Sequence, residues 1–121
     1  EHPLSLLRQA GFLKKSHQAI NLPKLANQLP VQVAGLVTCR QSPGTAGGVT
    51  FITLEDETGL VNVVVWRTIA QRDKTAFLTS RILSVAGQLQ RSGEVIHIIA
   101  GQLQSLDHCL PELVTAARNF H

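Results

Sequence analysis

Residues 49–66 read Val-Thr-Phe-Ile-Thr-Leu-Glu-Asp-Glu-Thr-Gly-Leu-Val-Asn-Val-Val-Val-Trp, two apolar arms around an acidic turn. β-Branched and aromatic residues of this kind fit a pleated, half-buried surface, and Glu55 to Gly59 supplies the break between the arms. Side chains alternate between the two faces of a strand. Thr50, Ile52 and Leu54 therefore share one face of the first arm, with Phe51 and Thr53 on the other. On the second arm Val61, Val63 and Val65 share a face, leaving Leu60, Asn62, Val64 and Trp66 opposite. A large aromatic and an Asn on the less uniformly apolar side mark a surface that touches something.

Working outward, the pattern supplies three more strands. Val31, Val33 and Val37 alternate with Gln32, Ala34, Leu36 and Thr38, which predicts a strand before the hairpin. Arg40 to Gly48 reads as a loop rich in Gly, Pro and Ser. After the hairpin, Ile69, Ala70, Phe77 and Leu78 among charged residues predict a helix over Arg67 to Thr79. Strand character returns from Arg81 to Arg91, breaks at Ser92-Gly93, and resumes from Glu94 to Leu103. Upstream, Pro3 and the spacing of Leu4, Leu7 and Ala10 or Phe12 predict a short helix ending near Gly11. Lys14 to Asn21 reads as a connector, and Leu22 to Leu29 as one or two helical turns before Pro30. Leu110 to Arg118 is expected to form a tail helix.

Five short strands with a helix between the third and fourth give the connectivity of an all-β, five-stranded Greek-key OB-fold barrel with short flanking helices. Gly35 and Gly87, inside strands, suit the sharp bends of such a barrel. The expected division is a helical connector at 1–30, the barrel at 31–106 and a tail at 107–121.

With 121 residues, the chain holds one core. Its 44% hydrophobic content excludes a wholly disordered chain. No apolar run reaches the roughly 18 residues of a membrane span, and no signal peptide opens the sequence. Glu1 at the start and the absence of Met are read as signs of a fragment or a processed product. Two cysteines, Cys39 and Cys109, are too few for a disulfide scaffold, so free thiols in the cytoplasm are expected. The net charge of +3 is unevenly placed. Residues 31–105 hold six basic and five acidic side chains and are nearly neutral, so nucleic-acid binding would rest on stacking and local patches.

Motifs for catalysis are absent: no nucleophile elbow, Walker loop, His-Glu-x-x-His or paired-Cys pattern occurs. No catalytic residue, metal ligand or cofactor site is assigned. Glu55, Asp56 and Glu57 read as a solvated turn, with a Mg²⁺ site as the alternative. The five histidines show no ligand spacing, and His97 reads as a packed or rim side chain. Phe51 is either a stacking platform for bases or a cap on the barrel. Trp66 reads first as a hydrophobic plug at the end of its strand. Arg40, Arg67, Arg81 and Arg91 sit at strand ends, where they either line a groove or, as most such arginines do, simply face solvent.

The run Arg40-Gln41-x-Pro43-Gly44-Thr45-Ala46-x-Gly48-Val49, then Phe51-x-Thr53-Leu54-Glu55-Asp56-Glu57-Thr58-Gly59, Asn62 and Val65-Trp66 is specific. It resembles the C-terminal region of the bacterial error-prone DNA polymerase alpha subunit, the damage-inducible relative of the replicative polymerase III alpha subunit. The likeness reaches from His2-Pro3 to Arg118-Asn119-Phe120-His121, which implies a natural C-terminus at His121. Asn119 stands where that family often has Asp, and Arg67 follows the Trp where Pro is common. The hairpin pattern is also similar to the anticodon-binding domains of class II aminoacyl-tRNA synthetases, where residues matching Phe51 and Asn62 contact bases. The resemblance implies translesion synthesis in the damage response, with accessory Y-family-like and RecA-like partners. The polymerase carboxylates would lie upstream, so the chain itself is expected to lack polymerase activity.

Two functions follow. One is a single-stranded DNA binding module using Phe51, Asn62, Arg40, Thr53, Val64, Trp66, Arg67 and Arg91. The other is a protein-interaction module for the accessory proteins. Near-neutral charge favours docking; Phe51, Asn62 and the glycine-rich loop favour DNA, and the balance leans to DNA.

Overall fold

The structure, a computed structural model, describes residues 2–42 and 48–109. Five strands close into a barrel in the order β1-β2-β3-β5-β4: β1 Pro30–Gln41, β2 Thr50–Glu55, β3 Leu60–Val65, β4 Ile82–Ser92 and β5 Val95–Ser105. This is the expected five-stranded barrel. β1 pairs antiparallel with both β2 and β4, and β2 with β3, while the barrel closes through a short parallel contact between β3 and β5. The predicted alternation puts Val31, Val33, Ile52, Leu54, Val61, Val63, Val65, Val85, Leu89 and Ile98 inside, all buried.

The two in-strand glycines mark close approaches. A Cβ at Gly87 would stand 2.1 Å from the Ile99 carbonyl oxygen, where the β4–β5 register shifts after Ala86. One at Gly35 would meet Leu54 Cβ at 2.8 Å and the Glu55 backbone at 2.9 Å. Only a residue without a side chain lets the strands cross this tightly.

Several element boundaries differ from expectation. The predicted helix over 67–79 is two helices, α2 Arg67–Arg72 and α3 Lys74–Thr79, separated at Asp73 (φ −106°, ψ 42°). There the Asp73 carboxylate accepts from the Leu103 amide (2.8 Å) and from Arg72, pinning the helix break to β5. The helical turn expected over 22–29 is instead a 3₁₀ helix at Ala19–Lys24. The first and last strands run longer than predicted, and the helix expected over 110–118 lies outside the described residues.

Upstream of the barrel, α1 (Pro3–Gln9) builds a second core where the chain length led to the expectation of one. Leu4, Leu6, Leu7 and Leu13 pack with Ala34, Ile82, Leu106 and Cys109. That layer explains why Ile82 to Val85 are buried on both faces of β4.

The acidic turn is the anchor for this segment, which corrects the reading of it as solvated. Asp56 is 2% exposed and accepts hydrogen bonds from the Ala19 amide (2.7 Å), the Thr58 amide and hydroxyl (each 2.7 Å) and the Gly59 amide (3.0 Å). Glu57 takes a two-pronged ion pair from Arg8. Glu55 lies 3.0 Å from His2 Nε2, while His2 Nδ1 accepts from the Leu4 amide and caps α1. Both contacts together require the neutral tautomer carrying its proton on Nε2. Five of the six carboxylate oxygens that a Mg²⁺ ion would draw on already face protein donors, all but Glu55 Oε2.

Candidate nucleic-acid interface

The outer face of the β2–β3 hairpin carries the residues singled out from sequence. Register pairs Phe51 with Val64, Thr53 with Asn62 and Glu55 with Leu60. Phe51 is 41% exposed and Asn62 is exposed, Thr53 is half-buried, and Val64 forms the buried floor beside Phe51. Phe51 therefore does not cap the barrel. Trp66 is 49% exposed at the entry to α2, so its reading as a plug is corrected. On the β1 side Gln41 stands beside Phe51 and Cys39 beside Thr53.

The arginines divide. Arg40 donates from Nε to the Phe77 carbonyl (3.1 Å) and from Nη2 to the Ser80 carbonyl (2.6 Å), closing the C-terminal end of α3. Arg91 donates from Nη2 to the carbonyls of Pro23 (3.1 Å) and Leu25 (2.5 Å), tying the β4–β5 hairpin to the upstream segment. Both were expected as groove residues; both hold main-chain carbonyls. Arg67 stands apart, its stem against Gly48 (φ +71°). Together with Lys74 it borders a cavity of about 320 Å³ floored by Ala70, Phe77 and Leu78. Among the described residues neither Arg67 nor Lys74 has a hydrogen-bond or ion-pair partner. Lys74 was not foreseen; it follows the break at Asp73 and lines the same cavity as Gly48 and Thr50.

Sequence reading also missed the far half of the face. Val64 pairs with Ile99 of β5, and Ile99 with Gln88 of β4. One step along, His97 faces Gln90. The parallel β3–β5 closure brings them together across about 35 residues of chain, and no local pattern announces it. At the start of these strands a second cavity of about 320 Å³ opens between Leu22, Leu60, Asn62, Glu94, Val95 and Ile98.

Away from this face, Asp73 is held below the usual carboxylate range, first by its hydrogen bond with Arg72 and then by the Leu103 amide. The same pair raises Arg72.

A barrel of this strand order, with an exposed aromatic and amide on its second and third strands, has the geometry of an oligonucleotide-binding fold. The family model described as "OB-fold nucleic acid binding domain" matches residues 31–106. The chain belongs to that family.

Two curated relatives of this OB-fold chain carry the name error-prone DNA polymerase. That of Vibrio parahaemolyticus is 52% identical over 120 residues, 99% of this chain and 12% of the relative. That of Vibrio campbellii shows the same identity and the same coverage. The chain thus spans about an eighth of the length of the curated relatives it matches. Among solved structures, the asparaginyl-tRNA synthetase of Pyrococcus horikoshii superposes with a TM-score of 0.62 at 20% identity. That match covers 89% of this chain and 29% of the synthetase, and it shows the shared fold. Among the described residues no helix is long and apolar enough to cross a membrane.

Proposed function

We propose that this chain is the C-terminal, non-catalytic OB-fold module of an error-prone translesion DNA polymerase. In that role it binds single-stranded template near the polymerase active site during damage-induced mutagenesis in the cytoplasm. Residues 31–106 form the binding module, residues 1–30 its link to the upstream polymerase region and residues 107–121 its tail. The observation that carries the reading is Phe51, exposed among the described residues on the outer face of β2, with Val64 beside it and Asn62 one pair away. An exposed ring on a barrel face is a stacking platform that accepts any base, and a neighbouring amide adds hydrogen bonds to base edges. Thr53 and Trp66 extend the platform, and Arg67 supplies positive charge at its end.

The test is titration of labelled single-stranded oligonucleotides at two salt concentrations, with wild type and Phe51→Ala. Loss of stacking weakens binding roughly 5- to 150-fold. A variant that melts like wild type yet binds DNA equally well would refute this face as the site.

A second reading is a docking module for accessory Y-family-like and RecA-like proteins. It is favoured by the exposed Leu60 and Val95 around the cavity between β3 and the β4–β5 hairpin. Substituting those two residues would then abolish partner capture while DNA affinity stayed unchanged.

A further inference from the structure

The outer face of the β2–β3 hairpin continues across the β3–β5 closure onto β5 and β4. Two rows cross the closure of the barrel. One is largely apolar and runs Phe51, Val64, Ile99, ending at Gln88. The other is polar and runs Thr53, Asn62, then His97 and Gln90. Asn62 and His97 each lie one residue before the paired Val63 and Ile98, facing outward where β3 and β5 begin to separate. Paired strands lie about 4.8 Å apart, so the apolar row spans roughly 15 Å from β2 to β4, and the polar row runs alongside it across the β3–β5 gap.

Among the described residues, the side chains of Asn62, His97 and Gln90 have no hydrogen-bond partner. Gln88, in the other row, differs, since its amide donates to the Gln28 carbonyl (3.1 Å). Asn, Gln and neutral His each offer a donor and an acceptor, the combination that the edge of an unpaired base presents in return. His97 is only half-buried, so a ligand can reach its ring.

We propose that His97 and Gln90, with Asn62, form a base-edge reading site for an unpaired nucleobase next to the one stacked on Phe51. The inference rests on the proposed binding of single-stranded DNA by this face and extends it across the β3–β5 closure. In that arrangement Ile99 and Val64 support the plane of the second base, and the three polar side chains reach its hydrogen-bonding edge. The site is then selective among bases, whereas stacking on Phe51 is not.

The experiment measures affinities of wild type, Phe51→Ala, His97→Ala and Gln90→Ala for oligo-dT, oligo-dA and oligo-dC. A fourth oligonucleotide of equal length carries abasic positions in its central half. Expected are losses of about three- to tenfold for His97→Ala and Gln90→Ala on at least one homopolymer, unequal among the three, with little change on the abasic strand. If Phe51→Ala weakens binding while both other variants match wild type on every strand, the edge site is overturned and the stacking face stands. An equal loss on all four strands also overturns it, since that is the mark of a backbone contact or a folding defect. If wild type binds none of the strands, the DNA-binding reading fails and the edge site with it. Gln90 is exposed, so Gln90→Ala keeps the test readable even if His97→Ala disturbs packing.

Discussion

Arg8 and Glu57, 49 residues apart, meet in a two-pronged ion pair, with Nε 2.9 Å from Oε2 and Nη2 3.2 Å from Oε1. Arg8 Nη1 also donates to the carbonyls of Ser16 (3.0 Å) and Leu13 (3.4 Å). One guanidinium therefore fixes both the chain after α1 and the tip of the β2–β3 hairpin. Both side chains are largely shielded from water, at 24% and 11% exposure, so the pair is worth more than a surface salt bridge.

Arg8→Ala is expected to destabilise the chain by about 1.5–3 kcal/mol, because Glu57 and two carbonyls lose a charged donor. Thermal unfolding of Arg8→Ala, Glu57→Gln and the double variant measures the coupling. Effects that add to within about 0.3–0.5 kcal/mol would mean that the two residues do not interact.

At Asp56 the expectation is a larger loss. Its carboxylate satisfies four donors while buried, and Asp56→Asn would turn an amide NH₂ toward some of them. Unsatisfied buried donors cost about 1–3 kcal/mol each, so a drop of at least about 2 kcal/mol is expected. Adding Mg²⁺ or EDTA should leave the wild-type melting temperature unchanged. A Mg²⁺-dependent rise abolished by Asp56→Asn would reinstate the turn as a metal site.

The hairpin was legible in the sequence because its information is local. Alternation over 49–66 assigned each of its side chains to a face, and the burial of Ile52, Leu54, Val61, Val63 and Val65 follows it. The succession of strands and helix along the chain was legible for the same reason, since every break carries Gly, Pro or a change of period. What escaped depends on contacts distant in sequence. Nothing near Glu55-Asp56-Glu57 tells that His2, Arg8 and Ala19 will meet it, and three adjacent acids look solvated until those partners arrive. Arg40 and Arg91 likewise looked available because helix-end and loop carbonyls cannot be seen from a strand pattern. Trp66 looked like a plug because a large apolar side chain is usually buried, yet its place in the alternation already put it on the outer face.

Gly87→Ala is expected to be strongly destabilising, by about 1–3 kcal/mol or more. The new methyl must move the Ile99 carbonyl, part of the β4–β5 ladder, rather than a pliable side chain. Gly101→Ala is the control, because its nearest contact would be the Ala86 oxygen at 3.4 Å. Chemical denaturation of both separates close approach from the general effect of adding a methyl. Equal stability of the two variants would contradict the account of the Gly87 crossing.

Acid sensitivity should trace partly to Asp73. Its carboxyl is more acidic in the folded chain than when unfolded, because Arg72 and the Leu103 amide favour the charged form. Its stabilisation is therefore present above the ordinary aspartate range and is lost as pH falls through the lowered folded value. The group is close to solvent, so the effect is small. Asp73→Asn should be less stable than wild type near neutrality, and the gap should narrow in acid. A gap that stays constant down to the acid transition would exclude Asp73 as a contributor.

The final prediction separates basic residues that bind from those that support. If the hairpin face holds single-stranded DNA, its phosphates need cations without other partners, and among the described residues Arg67 and Lys74, around one cavity, fit that requirement. Each single-strand phosphate neutralised contributes about 0.7 to the slope of log affinity against log salt. Arg67→Ala and Lys74→Ala should each flatten that slope by up to about that amount, weaken all base sequences alike and leave the melting temperature nearly unchanged. Arg40→Ala should do the reverse, lowering stability by about 0.5–1.5 kcal/mol through the lost bonds to the Phe77 and Ser80 carbonyls while the slope stays near the wild-type value. The measurement is a salt series of oligonucleotide titrations, run beside thermal melts. A flattened slope for Arg40→Ala with Arg67→Ala unchanged would place the phosphate path along β1 and away from α2.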